Sequence, residues 1–149
     1  MVQKLRERSN GEGGFTLVEL LVVMLILGLL AAIAIPSFFN QRDKAKDADA
    51  KAGVRTAQTA IESFATDNGG SYAAADTAAE LQAIESTLND VNLQDPVGTD
   101  DTYTVGVIAE DTENLFEISR QADGTVLYEC TVGAPGKQAG CPTGGNWGD

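Results

Sequence analysis

Apolar positions follow three different patterns along the chain. From Phe15 to Ile35 they are nearly continuous: 21 residues with one charge, Glu19, and no further charge before Arg42. As a helix this run is about 32 Å long, enough to cross a bilayer core of about 30 Å, and it is apolar all round rather than on one stripe. From Arg42 to Asp67 the residues are good helix formers without proline, and Val54, Ala57, Ile61, Phe64 and Ala65 recur at helical spacing. They form one narrow apolar face that needs a sheet to cover it. Gly69-Gly70 stops the helix after Asn68, so the whole element spans some 54 residues, about 80 Å. A short helix is predicted over Thr77–Leu88, with Ala79 or Leu81, Ile84 and Leu88 on one side and Thr77 and Glu80 as a capping box. Asn89 to Asp101 reads as turns around Asp95-Pro96 and Gly98. The third pattern is alternation. It predicts strands at Thr102–Ala109 (Tyr103, Val105, Val107), Leu115–Gln121 (Phe116, Ile118) and Thr125–Val132 (Val126, Tyr128), the last two joined by an Asp123-Gly124 hairpin turn. The expected fold class is α+β: a long N-terminal helix, hydrophobic in its first half, packed on a small antiparallel sheet.

Composition narrows the chemistry. The 149 residues include no histidine and two cysteines. That excludes His-based triads and proton shuttles, His-ligated zinc, and four-cysteine metal sites within one chain. No Gly-x-x-x-x-Gly-Lys phosphate loop is present. No enzymatic activity and no cofactor are expected. The formal charge is −12, and from Glu62 onward sixteen acids face two bases, Arg120 and Lys137. Such a surface keeps a domain soluble and repels nucleic acid. The bases Arg42, Lys44, Lys46, Lys51 and Arg55 cluster on the helix, but Asp43, Asp47 and Asp49 interleave with them. The segment therefore reads as a solvated neck rather than a phosphate-binding patch. At the other end, Lys4, Arg6 and Arg8 predict a cytoplasmic N-terminus, with the acidic half outside.

The apolar run has three readings. One is a secretory signal cut at Ala32-Ile33-Ala34, leaving Ile35 at the N-terminus; its length and the internal carboxylate speak against this. Another is a plain single-pass anchor. The third rests on Gly13-Gly14-Phe15-Thr16-Leu17-Val18-Glu19, a basic leader ending in glycine, then an apolar residue, with a carboxylate five positions after the glycine. This resembles the type IV prepilin signature over about residues 8–40, Pro36 included.

The resemblance implies a division into leader 1–14, membrane and polymerisation helix 15–36, amphipathic continuation 37–68 and soluble head 69–149. It implies a type IV pilin-like fold and cleavage after Gly14 by a membrane-embedded prepilin peptidase, which then methylates the Phe15 amine. It makes Glu19 an assembly residue. A charge within a spanning helix costs about 2.5–3.5 kcal/mol on insertion scales. Either Glu19 stays wet at the interface, or it pairs with the Phe15 amine of a neighbouring copy and sets register. Gly28 and Pro36 disfavour helix by about 1 and 3 kcal/mol. They mark either a kink or, as in related pilins, a segment that opens in the filament. The implied product is a helical homopolymer, a membrane protein before assembly and an extracellular filament after it. A cytoplasmic motor ATPase and a membrane platform supply the energy.

Alternatives of neighbouring class are a pseudopilin of a type II secretion system and a DNA-uptake pilin. The six glycines and two prolines from Gly133 onward give the tail little reason to stay ordered. Cys130 and Cys141 are expected to form a disulfide outside the cytoplasm, a pairing that many type IV pilins also show; two free thiols are the other reading. Trp147 docks on the sheet, on a neighbour, or nowhere. Asp95, Asp100 and Asp101 are a weak calcium candidate, suggested by the resemblance to major pseudopilins, without EF-hand spacing.

Overall fold

A computed structural model of the chain describes residues 14–148, so the basic leader residues lie outside the described region. Within it the chain divides into two units, one ending at Phe38 and one beginning at Phe39. A single helix, α1 (Leu17–Asp67), contributes to both. It starts at Leu17 rather than Phe15 because Thr16 caps it. The Thr16 hydroxyl accepts the Glu19 N–H at 3.2 Å and the Thr16 carbonyl accepts that of Leu20. Thr16-x-x-Glu19 is a capping-box pattern that was present in the sequence. At its other end α1 stops where expected: Gly69 and Gly70 take positive φ, and Gly70 N–H bonds the Ala65 carbonyl at 2.7 Å. Helical geometry passes through both Gly28 and Pro36.

The second unit is the head. Its α1 segment buries Ala50, Val54, Ala57, Ile61 and Ala65, with Phe64 partly covered, which is the face that the periodicity marked. The cover is an antiparallel sheet of β1 (Asn92–Leu93), β2 (Val97–Gly98), β3 (Tyr103–Ile108), β4 (Leu115–Arg120) and β5 (Val126–Thr131). The order is β1-β3-β4-β5, with β2 also paired to β3. Tyr103, Val105, Val107, Phe116, Ile118 and Cys130 point into the core, as strict alternation requires. The hairpin turn is as predicted: Gly124 sits at φ 86°, and Asp123 accepts the Thr125 N–H at 2.9 Å, which holds the Asp123 carboxyl below its usual range.

Three expectations are corrected. The Asn89–Asp101 stretch is not all turn. It opens with the end of a 3-10 helix (Ser86–Asp90) and contains β1 and β2, two-residue strands too short to show alternation. The predicted short helix is cut to α2 (Ala78–Ile84); Leu81 on it and Leu88 beyond it are buried, but Ile84 is 42% exposed and Ala79 is exposed too. Its capping box operates through Glu80, which accepts the N–H of Thr77 at 3.1 Å and of Asp76 at 2.9 Å. Finally, the tail from Gly133 is docked, as described below.

One cross-strand pair works against the sheet. Glu117 and Glu129 stand directly opposite each other on β4 and β5. Burial, and then the Glu129 charge, push the Glu117 carboxyl above the usual range. The folded chain then binds the Glu117 proton more readily than the unfolded chain. Its destabilising effect is therefore present at neutral pH and disappears as pH falls below the ordinary glutamate value of about 4.3. Glu117→Gln is expected to stabilise the head at pH 7 by about 0.2–1 kcal/mol, the usual size for opposed like charges. Thermal unfolding at pH 7 and at about pH 3.5 checks this, with no gain expected at the lower pH.

Candidate functional site

Two regions carry the chain's chemistry, and they lie in different units. The first is the apolar N-terminal stretch. Gly14, Phe15 and Thr16 precede the helix, and Phe15 is 78% exposed. Glu19 is exposed in the first turn of α1, where a carboxylate favours the helix dipole. Between Leu17 and Phe39 the large apolar side chains are all about half or more exposed within the single chain. The helix is long and apolar enough to cross a membrane, and the 18-residue span that qualifies it is entirely unburied by the protein itself. Such a surface is stable only in lipid or against other apolar surfaces. Gly28 has open space around it.

The second region is the C-terminal loop. Cys130 on β5 and Cys141 are joined by a disulfide, which settles the open question about the two thiols. The tail beyond it returns to the sheet edge. Gly145 accepts the Cys130 N–H at 2.6 Å, Tyr128 accepts the Trp147 N–H at 3.2 Å, and Glu129 accepts the indole N–H at 2.8 Å. Trp147 is 6% exposed, edge-on to Phe116 and Tyr128, with the Arg55 guanidinium 5.2 Å from its ring centre. The glycines that made the tail look unstructured let its backbone follow β5 closely.

The region's most buried charge was read in the sequence as a solvated neck residue. Asp47 is 0% exposed. Its Oδ1 accepts the Thr112 hydroxyl, and its Oδ2 accepts the Asn114 amide at 2.8 Å and the Gly140 N–H at 2.7 Å. Asn114 also donates to the Lys137 carbonyl at 2.9 Å and accepts the Gly133 N–H at 3.2 Å. Lys51, one turn along α1, donates to the Gly140 carbonyl at 2.7 Å; burial pulls its ammonium below the usual lysine range, while the Asp47 charge opposes this. The loop between β3 and β4 that brings Thr112 and Asn114 here turns through positive φ at Asp111 and Glu113. Other neck charges are engaged as well: Arg42 with Asp111 at 2.7 Å, Lys46 with Glu110, and Asp43 with Lys137 at 3.0 Å. The only signal for Asp47 in the sequence is its spacing. It lies three and seven residues before Ala50 and Val54, on the buried face.

The calcium candidates are not gathered. Asp95 accepts the Ala78 N–H at 2.9 Å at the start of α2, Asp100 accepts the Ser71 hydroxyl at 2.9 Å, and Asp101 lies at the surface. Among the described residues no group of three or more Cys, Asp or Glu side chains is placed to hold a metal ion.

α1 is thus apolar and exposed in its first half and covered by the sheet along one face of its second. Comparison with known proteins gives the family. Residues 9–35 match the prokaryotic N-terminal methylation motif. A fimbrial protein of Pseudomonas aeruginosa is 38% identical over 136 residues, covering 83% of this chain and 87% of the relative. The type II secretion system core protein G of P. aeruginosa is 28% identical over 139 residues, 91% of this chain and 95% of that protein. The type IV major pilin PilA of Myxococcus xanthus is 47% identical, but over 51 residues only, 34% of this chain and 23% of that pilin. No solved structure matches the chain. The chain belongs to the pilin and pseudopilin superfamily, whose members are structural subunits and not enzymes.

Packing of the tail leads to a direct expectation. Trp147→Ala should destabilise the head by about 3–5 kcal/mol, the range for deleting a buried aromatic. Denaturant unfolding measures the loss, and limited proteolysis should show new cuts after Cys141.

Proposed function

We propose that the chain is a subunit of a type IV pilus, cut after Gly14, methylated on Phe15 and polymerised through α1 into an extracellular filament. The observation that carries this reading is the apolar surface between Leu17 and Ile35, which is exposed among the described residues. Before assembly lipid covers it; once the helix leaves the bilayer, only copies of itself can. One repeated, non-closing operator then builds a helical fibre. The likeness to fimbrial proteins and the disulfide-bounded C-terminal loop support a pilus.

The carried-over roles follow the same physics. Gly14-Phe15 lies outside the helix and exposed, where a peptidase can reach it. Cleavage leaves a cationic amine on Phe15, and methylation keeps it protonatable. Within a bundle, the carboxylate of Glu19 pairs with that amine on a neighbour, so two unfavourable charges cancel only in register. Gly28 and Pro36 mark the segment that opens when subunits pack. The processing peptidase, a motor ATPase and a membrane platform are the partners this route requires.

A second reading has its own support. Core protein G from Vibrio cholerae is 26% identical over 98% of this chain, so a pseudopilin is the alternative. It differs in the fibre made, not in the subunit's chemistry. The acidic head speaks against direct nucleic-acid binding.

Four experiments test the proposal. Mass spectrometry of the mature protein should find methylated Phe15 at the N-terminus; a start at Ile35, or retention of the leader, overturns it. Glu19→Ala should insert in the membrane normally and yield no filaments by electron microscopy, whereas wild-type filament yield removes the assembly role. Surface fibres missing from a strain that lacks the chain, with secretion intact, separate pilus from pseudopilus. Continuous helix through Gly28–Pro36 in a filament map would refute the opening.

A further inference from the structure

We infer that Asp47 is a positioning residue for closure of the Cys130–Cys141 disulfide: its buried carboxylate docks the C-terminal loop while the thiols are still reduced. The helix grips the residue next to Cys141 from both sides. Asp47 takes the Gly140 N–H at 2.7 Å and Lys51 holds the Gly140 carbonyl at 2.7 Å. Further back, Asn114 binds the Lys137 carbonyl and the Gly133 N–H. None of these contacts uses a sulfur atom. Together they span the loop that separates the cysteines and set Cys141 beside β5.

The approach is close enough to demand glycine. A Cβ on Gly140 would stand 2.8 Å from that of Asp47, nearer than side chains pack. The energetics run the same way. Among the described residues every buried side-chain nitrogen and oxygen has a partner. An undocked loop takes the Gly140 donor away from a carboxylate that the β3–β4 loop still covers, so docking is favoured whatever the redox state. Asparagine in place of Asp47 offers one acceptor and turns an N–H₂ toward donors.

Docking matters because closure is a thiol–disulfide exchange. One cysteine thiolate attacks an oxidised small-molecule or protein disulfide, which releases one thiol and leaves a mixed disulfide. The second thiolate then attacks the protein sulfur, forms the Cys130–Cys141 bond and releases the second thiol. Two cysteines are oxidised and one external disulfide is reduced, with the cysteine protons passing to the released thiols. The second attack is intramolecular, so its rate rises with the effective concentration of the two sulfurs.

The test uses the full chain in detergent, reduced with dithiothreitol, freed of it and given oxidised glutathione. Free thiols are trapped by alkylation over time. Asp47→Asn and Gly140→Ala should each close the disulfide at least threefold more slowly than wild type, while the exposed control Asp49→Asn should not. A smaller slowing in both variants overturns the inference. A second readout separates the carboxylate from the disulfide. Trp147 is the chain's one tryptophan and reports docking of the tail. Its emission in Cys130→Ser/Cys141→Ser should match wild type and shift to the red when Asp47→Asn is added. A red shift in the double serine variant alone overturns the inference, since the disulfide and not Asp47 would then hold the loop.

Discussion

One helix has to satisfy two surroundings, and the rest of the chain follows from that demand. Over its apolar half α1 meets its own backbone hydrogen-bonding needs internally and offers only side chains, which is what a bilayer permits. From Leu17 to Ile35 those side chains are exposed among the described residues. Over its other half the helix has one buried face, narrow and lined mostly by alanine, valine and glycine. Small residues let the sheet come close to the helix axis. Gly53, for instance, would place a Cβ 3.1 Å from Val91.

A head this small has few apolar side chains, and its coherence depends on how its edges are finished. The β5 edge presents unpaired backbone groups that invite another strand. The tail occupies part of it through Gly145, Asn146 and Trp147. At the opposite end of the loop, Asp47 replaces a hydrophobic contact with a satisfied polar one. A second polar group, Glu62, accepts from the Tyr72 hydroxyl at 2.8 Å and the Tyr103 hydroxyl at 3.0 Å, and burial raises both phenols above their usual range. The exposed ion pairs along the neck contribute little by comparison, about 0–1 kcal/mol each.

The disulfide and the Asp47 contacts hold the same loop by unlike means. The covalent bond acts mainly by restricting the unfolded chain. The carboxylate acts on the folded chain, where it satisfies donors that water would otherwise serve. Loop sequence between Cys130 and Cys141 can therefore vary at exposed positions while Gly133 and Gly140, which approach Glu113 and Asp47 closely, are constrained.

Local periodicity was enough to recognise the long helix, its buried stripe at Val54, Ala57 and Ile61, the three longer strands and the Asp123-Gly124 turn. Each depends on contacts repeating every two or every three to four residues, and the order of residues records these directly. The prepilin signature was legible for a similar reason: it is one short contiguous stretch of sequence. Burial of Asp47, docking of Trp147 and the short strands β1 and β2 were not legible. They join residues tens of positions apart, Asp47 to Asn114 and Gly140, or Asn92 to Ile108. An aspartate among lysines looks solvated, and a glycine-rich tail looks loose, until the folded sheet supplies the donors and the groove that each one meets.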